Sequence, residues 1–302
     1  MKLLKRSTLV AVALAGVLAG TANPAAAIVG GQDATQHDGV VSLQIVYPGL
    51  GTALCGAELI LPQWVRTAGH CVSDQNAAPV PVAVPGKNVA VRVDSLDRTT
   101  GGQVVTGKQV YLHDKWMWGV NYPAEPVSDY ALIELAQPVR ADLLPTALRQ
   151  APIGSPVRAV GWGLTEFPPP PGAVPPALLR QRDIVRLPNA ACAGGFAGLG
   201  DICVSAGPCF GDSGSPLLRQ VSGHGIGARL EWVSVGITSR ESSSANPCGE
   251  PTVFTDSTYP QHREWTYDTI RTRKVKPCAC SPRLLTATHN ELMNRLKVDL
   301  FQ

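Results

Sequence analysis

The chain has 302 residues, which is enough for one large domain or two modest ones with proper cores. Its 30 glycines, 26 prolines and few aromatic residues favour many short strands joined by turns over long helices. The formal net charge of +3 falls to about zero without residues 1–27, which hold three basic and no acidic side chains. No overall basic field then remains to attract nucleic acid or an anionic membrane.

The first 27 residues have the pattern of an export signal that is removed from the mature chain. A basic start at residues 2–6 is followed by an apolar run at residues 9–19, which is too short for a stable membrane span. Small residues follow, and we expect cleavage after Ala27, or after Ala22 with residues 23–27 as a short propeptide. The mature protein is therefore expected to be secreted, with no stable membrane span.

The rest of the chain shows short strand patterns in two groups, separated by a connector at residues 136–156. The first group has β-branched residues and alternating apolar and polar positions, and it covers residues 40–47, 57–61, 88–94, 104–112 and 129–135. The second group covers residues 157–163, 183–187, 216–219, 232–238 and 252–255. One helix is predicted from Pro260 to about Lys274. Two groups of short strands indicate two packed antiparallel barrels or sandwiches.

The eight cysteines are even in number, and in an exported chain they can form disulfides. No pair has the spacing of a zinc site that includes histidines. Acidic residues are nearly absent from residues 72–87, so no calcium-binding loop is evident there. We therefore expect no bound metal.

The stretch Cys209–Pro216 holds Ser213 between two glycines and directly after an aspartate. Glycine allows the positive φ angles of a turn that presents a hydroxyl, and the N–H groups of Gly211 and Ser213 could converge on a developing oxyanion. An ordinary surface turn would have a similar composition. The stretch is not the lipase-type nucleophile elbow, because Ser215 stands where that motif has glycine. A base and an orienting acid elsewhere in the chain would decide between these interpretations.

His70 is the best candidate for the base, because it follows an apolar strand and precedes a cysteine that could fix its position. A catalytic histidine also needs an acid on its other ring nitrogen, which sets the tautomer and stabilises the imidazolium. Asp129 opens an apolar run, so its carboxylate could be held at a strand edge and partly buried. Asp74 and Asp114 compete for this role, but both lie in polar sequence surroundings.

Five motifs in order resemble the chymotrypsin/trypsin-like serine proteases. They are the mature N-terminus, the base motif, the acid motif, the opening of the second barrel and the nucleophile motif, at Ile28–Gly31, Thr67–Cys71, Ser128–Leu132, Gly161–Gly163 and Gly211–Gly214. The order His, Asp, Ser is also that of the family. The motifs extend across residues 28 to about 265, and five in order are hard to obtain by chance. The resemblance implies an all-β fold of two antiparallel barrels with a C-terminal helix and the active site between the barrels.

The resemblance also implies the catalytic roles. Ser213 is the nucleophile, His70 is the general base and acid, and Asp129 is the orienting carboxylate. The N–H groups of Gly211 and Ser213 form the oxyanion hole. Ser239 matches a serine that hydrogen-bonds the aspartate.

An activation pair follows from the same resemblance. Asp212 matches the acid that receives the new amino terminus, and Ile28 matches the residue that supplies it. Since burying either charge alone would be costly, the two charges should enter the protein together and order the oxyanion loop. Cleavage after Ala27 would expose Ile28 directly, without a separate activating enzyme.

Six cysteines match three family disulfides. The resemblance implies Cys55–Cys71 beside the base, and Cys192–Cys203 and Cys209–Cys248 beside the substrate pocket. Cys278 and Cys280 have no counterpart, so they could pair with each other, bridge to a partner chain or stay free.

The substrate pocket departs from the trypsin pattern. Gly207, followed by Pro208, stands where trypsin has the aspartate that binds Lys or Arg. The wall that begins at Ser239 carries Glu241, and Thr252 replaces a pocket glycine. Side chains at Glu241 and Thr252 would narrow the pocket and favour small, neutral residues before the cut bond. In the competing interpretation, Glu241 turns inward and recruits a basic side chain.

Two smaller departures leave the triad intact. Gly69 replaces the usual alanine before the histidine, and Ser215 replaces the second glycine after the serine. Both residues are small, so neither threatens the predicted chemistry.

We therefore expect a secreted, monomeric serine endopeptidase that acts on protein or peptide substrates and needs no cofactor. An Ala-, Gly-, Pro- and Val-rich composition and the short signal indicate a bacterial-type member. The alternatives are a catalytically silent binding protein and an esterase with the same triad. The intact triad argues against the first, and only substrates can separate the second.

The domain assignment follows from these patterns. Residues 1–27 are the signal peptide, and residues 28–265 are the protease domain, with barrels at about 28–135 and 157–258. Residues 266–302 hold the end of the helix and a tail of unknown role. A basic run at residues 271–276 is interpreted as a solvated helix end that complements the helix dipole.

Overall fold

The computed structural model describes residues 28–78, 80–118, 127–223 and 230–272, which form two closed six-stranded antiparallel barrels and a helix. The elements of these ranges are β1 (Gln32–Asp33), β2 (Val40–Tyr47), β3 (Gly51–Leu61), β4 (Trp64–Thr67), β5 (Val89–Val93), β6 (Gln103–Leu112), β7 (Ala131–Leu135), β8 (Pro156–Gly161), β9 (Arg180–Leu187), β10 (Asp201–Val204), β11 (Pro216–Ser222), β12 (Leu230–Glu241), β13 (Thr252–Asp256) and α1 (Pro260–Thr272).

The first barrel closes in the order β2-β3-β4-β7-β6-β5. Strand β5 has the alternating burial of a barrel strand, whose side chains point in turn to the inside and the outside. Val89, Val91 and Val93 are fully buried, while the residues between them are only half-buried. The inward residues of all six strands join one core, in which each fully buried Val, Leu or Ile contributes about 1.5–3 kcal/mol.

The second barrel follows the order β9-β10-β13-β12-β11-β8 and closes through pairing of β8 with β9. Strand β1 adds to the outside of β9, with Gln32 opposite Gln181. The core of this barrel includes Ile28, Leu217 and Phe254, each fully buried. The start of the described chain is thus part of the second barrel's core.

Helix α1 covers the first barrel. His262, Thr266 and Ile270 are spaced four residues apart and are buried, and Ile270 packs with Trp64 and Leu132 of the first barrel. Across the described ranges, we find no helix with both the length and the apolar character that a bilayer crossing requires.

The all-β prediction of two antiparallel barrels and a C-terminal helix is confirmed. Most strands lie where the sequence predicted them, although β3 begins at Gly51 instead of residue 57. Helix α1 is described as far as Thr272, and its predicted end near Lys274 lies outside the described residues. Strands β4 and β10 were missed because four residues are too few to show a period. The predicted signal peptide and the tail from residue 273, with Cys278 and Cys280, lie outside the described residues.

Candidate active site

The segments of the predicted site meet where the two barrels face each other. Ser213 lies in the turn before β11, and its carbonyl accepts a hydrogen bond of 2.7 Å from the N–H of Gly56 in the first barrel. Thr255, in the second barrel, donates its hydroxyl to the carbonyl of Asp129 at 3.0 Å. These cross-barrel bonds fix the nucleophile turn and the aspartate relative to each other.

Asp129 holds His70 through two hydrogen bonds. Oδ1 of Asp129 accepts from the backbone N–H of His70, and Oδ2 lies 2.8 Å from Nδ1 of the ring. The hydroxyl of Ser239 donates to the same Oδ2 at 2.7 Å, and the carboxylate is almost fully buried. With Nδ1 donating to Asp129, Nε2 of the neutral ring carries the lone pair, as a general base requires.

The electrostatics of the pair favour its charged form. Burial would raise the pKa of the Asp129 carboxyl, but the charge of His70 and hydrogen bonds from His70 and Ser239 hold that pKa below its usual value. Burial would likewise lower the pKa of His70, but the charge and hydrogen bond of Asp129 raise that pKa above its usual value. The charge of Glu241 contributes to this rise, so Glu241 acts electrostatically on the base.

Local structure on both sides anchors His70. A short 3₁₀ turn begins at His70, just after β4, and its next residue, Cys71, is joined to Cys55 of β3 by a disulfide. The hydroxyl of Thr67 donates to the carbonyl of Gly56 at 2.9 Å. His70 is therefore attached to β3 and β4 together, and the segment just before β7 supplies Asp129.

The turn around Ser213 depends on glycine. Gly211 has a φ of 98° and Gly214 a φ of 78°, and a Cβ on Gly214 would lie 2.2 Å from Oγ1 of Thr67. Within the described ranges, the N–H groups of Gly211 and Ser213 have no acceptor, so both are available to a substrate oxygen. Oγ of Ser213 also makes no hydrogen bond to the described residues, and in free enzymes such catalytic bonds often tighten only with substrate.

Asp212 is a buried carboxyl without a counter-ion among the described residues. Its two oxygens accept from the N–H groups of Gly163 at 2.7 Å and Cys209 at 2.9 Å, and it forms no salt bridge within the described part of the chain. Burial raises its pKa to about 7. Ile28 is completely buried in the same barrel, and the N–H of Val29 donates to the carbonyl of Gly207 at 2.9 Å.

A cavity of about 50 Å³ adjoins Ser213 and contains four of the five predicted pocket residues. Its lining includes Pro208, Ser239, Glu241 and Thr252, together with Phe210, Thr238 and Pro247. The remaining predicted pocket residue, Gly207, is not among the lining residues. A side chain at this position would contact Ile184, Ile28 and Arg182, because the backbone turns it toward the N-terminal segment.

Sequence reasoning missed Trp116, which explains the unusual Gly69. A Cβ on Gly69 would lie 2.9 Å from Cγ of the buried Trp116 ring. Nε1 of Trp116 donates to Oγ of Ser73 at 2.7 Å, and that hydroxyl donates to the carbonyl of Gly69 at 2.8 Å. The glycine in place of alanine was the signal that a large neighbour lies against this residue.

Arg240 is a second residue whose role the sequence did not indicate. It lines the cavity. Its Nη2 forms an ion pair with Oδ2 of Asp201 at 2.7 Å, and its Nε donates to the carbonyl oxygen of Gly195 at 2.6 Å. The cavity wall is thereby tied to the neighbouring segment that Cys192–Cys203 also fixes. This contact joins residues 39 positions apart, and no local pattern could have shown it.

The other candidates for the site have separate roles. Asp74 accepts from the N–H of Asn76 in an exposed turn, and Asp114 lines a groove beside α1. Cys55, Cys71 and His70 bring potential metal-ligand atoms within 4.8 Å of one another, but both cysteines are used in a disulfide and offer no thiolate. The structure also contains Cys192–Cys203 and Cys209–Cys248, so all three implied pairs are intrachain disulfides.

Comparison with known proteins agrees with this arrangement. The family model described as Trypsin matches residues 28–265. The chain is 31% identical over 212 residues to Trypsin 5G1 of Aedes aegypti, covering 64% of this chain and 71% of that protein. Among solved structures, an inactivated protease paralogue of the scabies mite, S-D1, is 22% identical with a TM-score of 0.59, covering 83% of this chain and all of that one. Neuropsin of mouse brain is also 22% identical with a TM-score of 0.59, covering 80% of this chain and all of that one.

These comparisons establish the family, but they do not establish a bacterial type or catalytic activity. The bacterial-type assignment is not supported, because Trypsin 5G1 of Aedes aegypti, one of the relatives that match this chain, is an insect trypsin. The scabies mite protein shares the fold and is named as inactivated, so the fold alone does not establish catalysis. The family match covers both barrels and all the motifs described above, and the chain belongs to the trypsin family of chymotrypsin-like serine proteases.

Proposed function

We propose that the protein is a serine endopeptidase with Ser213 as its nucleophile. Oγ of Ser213 attacks the carbonyl carbon of a peptide bond while Nε2 of His70 removes its proton. The N–H groups of Gly211 and Ser213 donate hydrogen bonds to the oxyanion that forms. His70 then donates the proton to the leaving amine, and water deprotonated by His70 releases the acyl group.

One observation carries this proposal: Asp129 bonds both the backbone and the ring of His70, at the barrel junction that also holds the Ser213 turn. The unpaired N–H groups of Gly211 and Ser213 in the same turn supply the remaining requirement for acyl transfer. A buried aspartate and an oriented histidine would have no structural need for two unpaired donors. Catalysis therefore accounts for the whole arrangement, whereas a silent binding protein would need none of it.

We further propose a preference for small, neutral side chains before the cut bond. A cavity of about 50 Å³ supports it, because Lys, Arg and large aromatic side chains need more room. Thr252 is buried in the wall, and Glu241 remains largely exposed at the rim. An exposed carboxylate at the rim is solvated by water, which weakens the competing interpretation that it binds a basic side chain inside the pocket.

Secretion and activation are part of the same proposal. Three intrachain disulfides are typical of an oxidising, extracellular compartment. Removal of residues 1–27 would release the ammonium of Ile28, and the buried, unpaired carboxyl of Asp212 would receive it. We propose residues 28–265 as the protease domain of the mature, monomeric protein.

Labelling with a serine-directed fluorophosphonate, followed by mass spectrometry, tests the catalytic assignment. We expect one adduct, on Ser213, in a chain that starts at Ile28, and none in a Ser213→Ala control. Peptide hydrolysis should fall on the order of a millionfold in the same control. A peptide library should then be cut after Ala, Ser or Val in preference to Lys, Arg or Phe.

Three outcomes would contradict parts of this proposal. An unlabelled chain that starts at Ile28 would overturn catalysis and favour a binding protein. Labelling with cleavage of esters but no peptide would favour the esterase. Cleavage after Lys or Arg that is lost in Glu241→Gln would overturn the small, neutral preference and assign basic recognition to Glu241.

A further inference from the structure

A large groove lies on the side of the first barrel that carries helix α1. Its volume is about 700 Å³, far more than the cavity beside Ser213. One wall is the end of β6 and the segment that follows it, at residues 110–115, and the other wall is α1. A groove of this size has the volume of a typical binding site, although it is remote from the proposed chemistry.

The helix wall is one continuous face of α1. Gln261, Trp265, Asp268 and Thr272 follow each other at intervals of three or four residues and all line the groove. This face lies beside the buried residues His262, Thr266 and Ile270, and Trp265 also packs against the barrel core. The groove follows the helix to Thr272, its last residue, beyond which the chain continues for 30 residues.

The groove is acidic. Asp114, Glu264 and Asp268 line it, against a single basic residue, Lys115. Asp268 has Arg271 at 3.4 Å, whereas Asp114 and Glu264 form no ion pair within the described ranges. The groove therefore presents net negative charge to whatever lies in it.

A buried donor at the groove also lacks a partner. Nδ1 of His113 accepts from the N–H of Lys115 at 3.2 Å, so Nε2 carries the proton of the neutral ring. This Nε2 is buried and has no acceptor among the described residues, although His113 is one of the lining residues. A buried polar group without a partner is rare and calls for an explanation. The rings of Tyr130 and His262 lie edge-on to His113 at 6.3 and 5.3 Å, so this ring connects the groove to the interior of the fold.

We propose that the groove binds the basic segment at residues 273–276 of this same chain. Three of its four residues are cations, Arg273, Lys274 and Lys276, and they match the three carboxylates of the groove. The lining face of α1 from Gln261 to Thr272 is about 17 Å long. A chain that turns back at Thr272 would cover that length with about five extended residues.

The segment follows α1 directly in the sequence, which favours it over any free ligand as the occupant of the groove. Because it is attached at the rim of the groove, its effective concentration there is high, in the millimolar range for short flexible links. Trp265 also lines the groove, and an indole ring attracts a cation that lies over its face. In this proposal the basic run is a ligand of the folded domain, and its interpretation as a solvated helix end is the alternative that the experiments below distinguish.

The groove connects to the proposed active site through packed side chains. The ring of His113 lies 5.3 Å from that of His262, and Nε2 of His262 bonds Oγ of Ser128 at 2.9 Å. Ser128 is the neighbour of Asp129 in sequence. A segment bound in the groove would therefore stabilise the position of Ser128 and, through it, that of Asp129.

Zero-length cross-linking of the full chain with a carbodiimide tests the proposal directly, because it joins an amine to a carboxylate only when the two touch. We expect cross-links from Lys274 or Lys276 to Asp114, Glu264 or Asp268, mapped by mass spectrometry of the monomer fraction. The ion pair of Lys108 with Glu134 is a built-in positive control.

A charge-reversed tail gives a second, independent measurement. In the triple variant Arg273→Glu, Lys274→Glu, Lys276→Glu, hydrogen exchange of residues 110–115 and 261–272 should become roughly fivefold faster, as the loss of three surface ion pairs predicts. The matched control is Arg283→Glu, Arg295→Glu, Lys297→Glu, which has the same change of charge farther along the tail. It should leave that exchange unchanged.

Either experiment can overturn the proposal. Formation of the Lys108 to Glu134 cross-link without any tail-to-groove cross-link would show that the groove does not hold this segment. Cross-links found only between isotopically light and heavy copies would assign the groove to a second molecule. Equal acceleration of exchange in both triple variants would mean that general charge, not docking, protects the groove.

Discussion

At the scale of single residues, the backbone before His70 is shaped by a tryptophan. The Trp116 ring packs where a side chain at position 69 would lie, and its Nε1 holds the hydroxyl of Ser73, which in turn holds the carbonyl of Gly69. The His70 ring lies 6.5 Å from the Trp116 ring. In the proposed mechanism, Trp116 would therefore be a positioning residue that acts on His70 through Gly69.

Gly69→Ala should lower kcat/KM by about 10- to 100-fold, because overpacking of 1–3 kcal/mol has to be relieved by movement of Trp116 or His70. The effect should appear in kcat more than in KM, since it displaces the base and leaves the pocket intact. Peptide hydrolysis assays and unfolding curves of the same samples provide the measurement.

The matched background is Trp116→Ala. Once the ring is removed, the same Gly69→Ala change should cost little additional activity, which gives a large coupling energy in a double-mutant cycle. Equal losses from Gly69→Ala in the two backgrounds would show that the Trp116 ring is not the obstacle.

At the scale of elements, one arginine of β4 ties three parts of the fold together. Arg66 is fully buried and forms an ion pair with Glu58 of β3. It also donates to the Tyr130 hydroxyl at 3.1 Å and to Oγ1 of Thr146 in the connector at 2.9 Å. The backbone at Thr146 pairs in turn with Ser234 of β12, so the arginine links the first barrel to the second through the connector.

Glu58→Ala should lower the free energy of unfolding by about 3–5 kcal/mol, because it leaves the Arg66 guanidinium buried without its counter-ion. The double variant Glu58→Met, Arg66→Met should recover much of that loss, since two apolar side chains need no compensation. Urea unfolding of the three proteins measures both values. A double variant less stable than Glu58→Ala would mean that the bonds from Arg66 to the connector matter more than the ion pair.

Elements and site differ in how far the sequence could predict them. Alternating strands such as β5 are local patterns, so they were predicted correctly, and the His, Asp and Ser motifs led to the correct family. The catalytic roles of those three residues remain predictions. Short strands such as β10 have no period to detect. Contacts such as Arg240 with Asp201, and the orientation of Gly207 away from the cavity, arise from tertiary packing and could not be predicted.

At the scale of the whole molecule, the charge of one buried carboxyl distinguishes two forms of the protein. While residues precede Ile28, Asp212 has no cation within the described residues, and burial raises its pKa to about 7. In the form that begins at Ile28, a new ammonium is available to pair with it. The two forms should therefore respond differently to pH.

In the form that retains residues before Ile28, stability should fall by about 4 kcal/mol as pH rises from about 4 to about 7. In that window the unfolded Asp212 has released its proton, while the folded one still binds it. Stability is full below the unfolded pKa and is lost as pH rises through the folded pKa. In the form that begins at Ile28 this fall should be absent.

Urea unfolding of both forms across this pH range measures the difference, to which other buried acids contribute equally. Asp212→Asn in the longer form is the control, and it should remove the fall. A fall of the same size in both forms would show that Ile28 does not pair with Asp212.

If residues 1–27 are removed as proposed, the complete burial of Ile28 constrains when that cleavage can take place. Arg182 holds the carbonyl of Val29, and β1 pairs with β9 just beyond it. A processing enzyme must grip the chain on both sides of the bond it cuts, and in the folded protein one of those sides is enclosed. Release of Ile28 thus competes in time with closure of the second barrel. A chain that folds before it is cut would remain the precursor. The yield of mature protein would therefore depend on the rate of cleavage before Ile28 relative to the rate at which the second barrel folds.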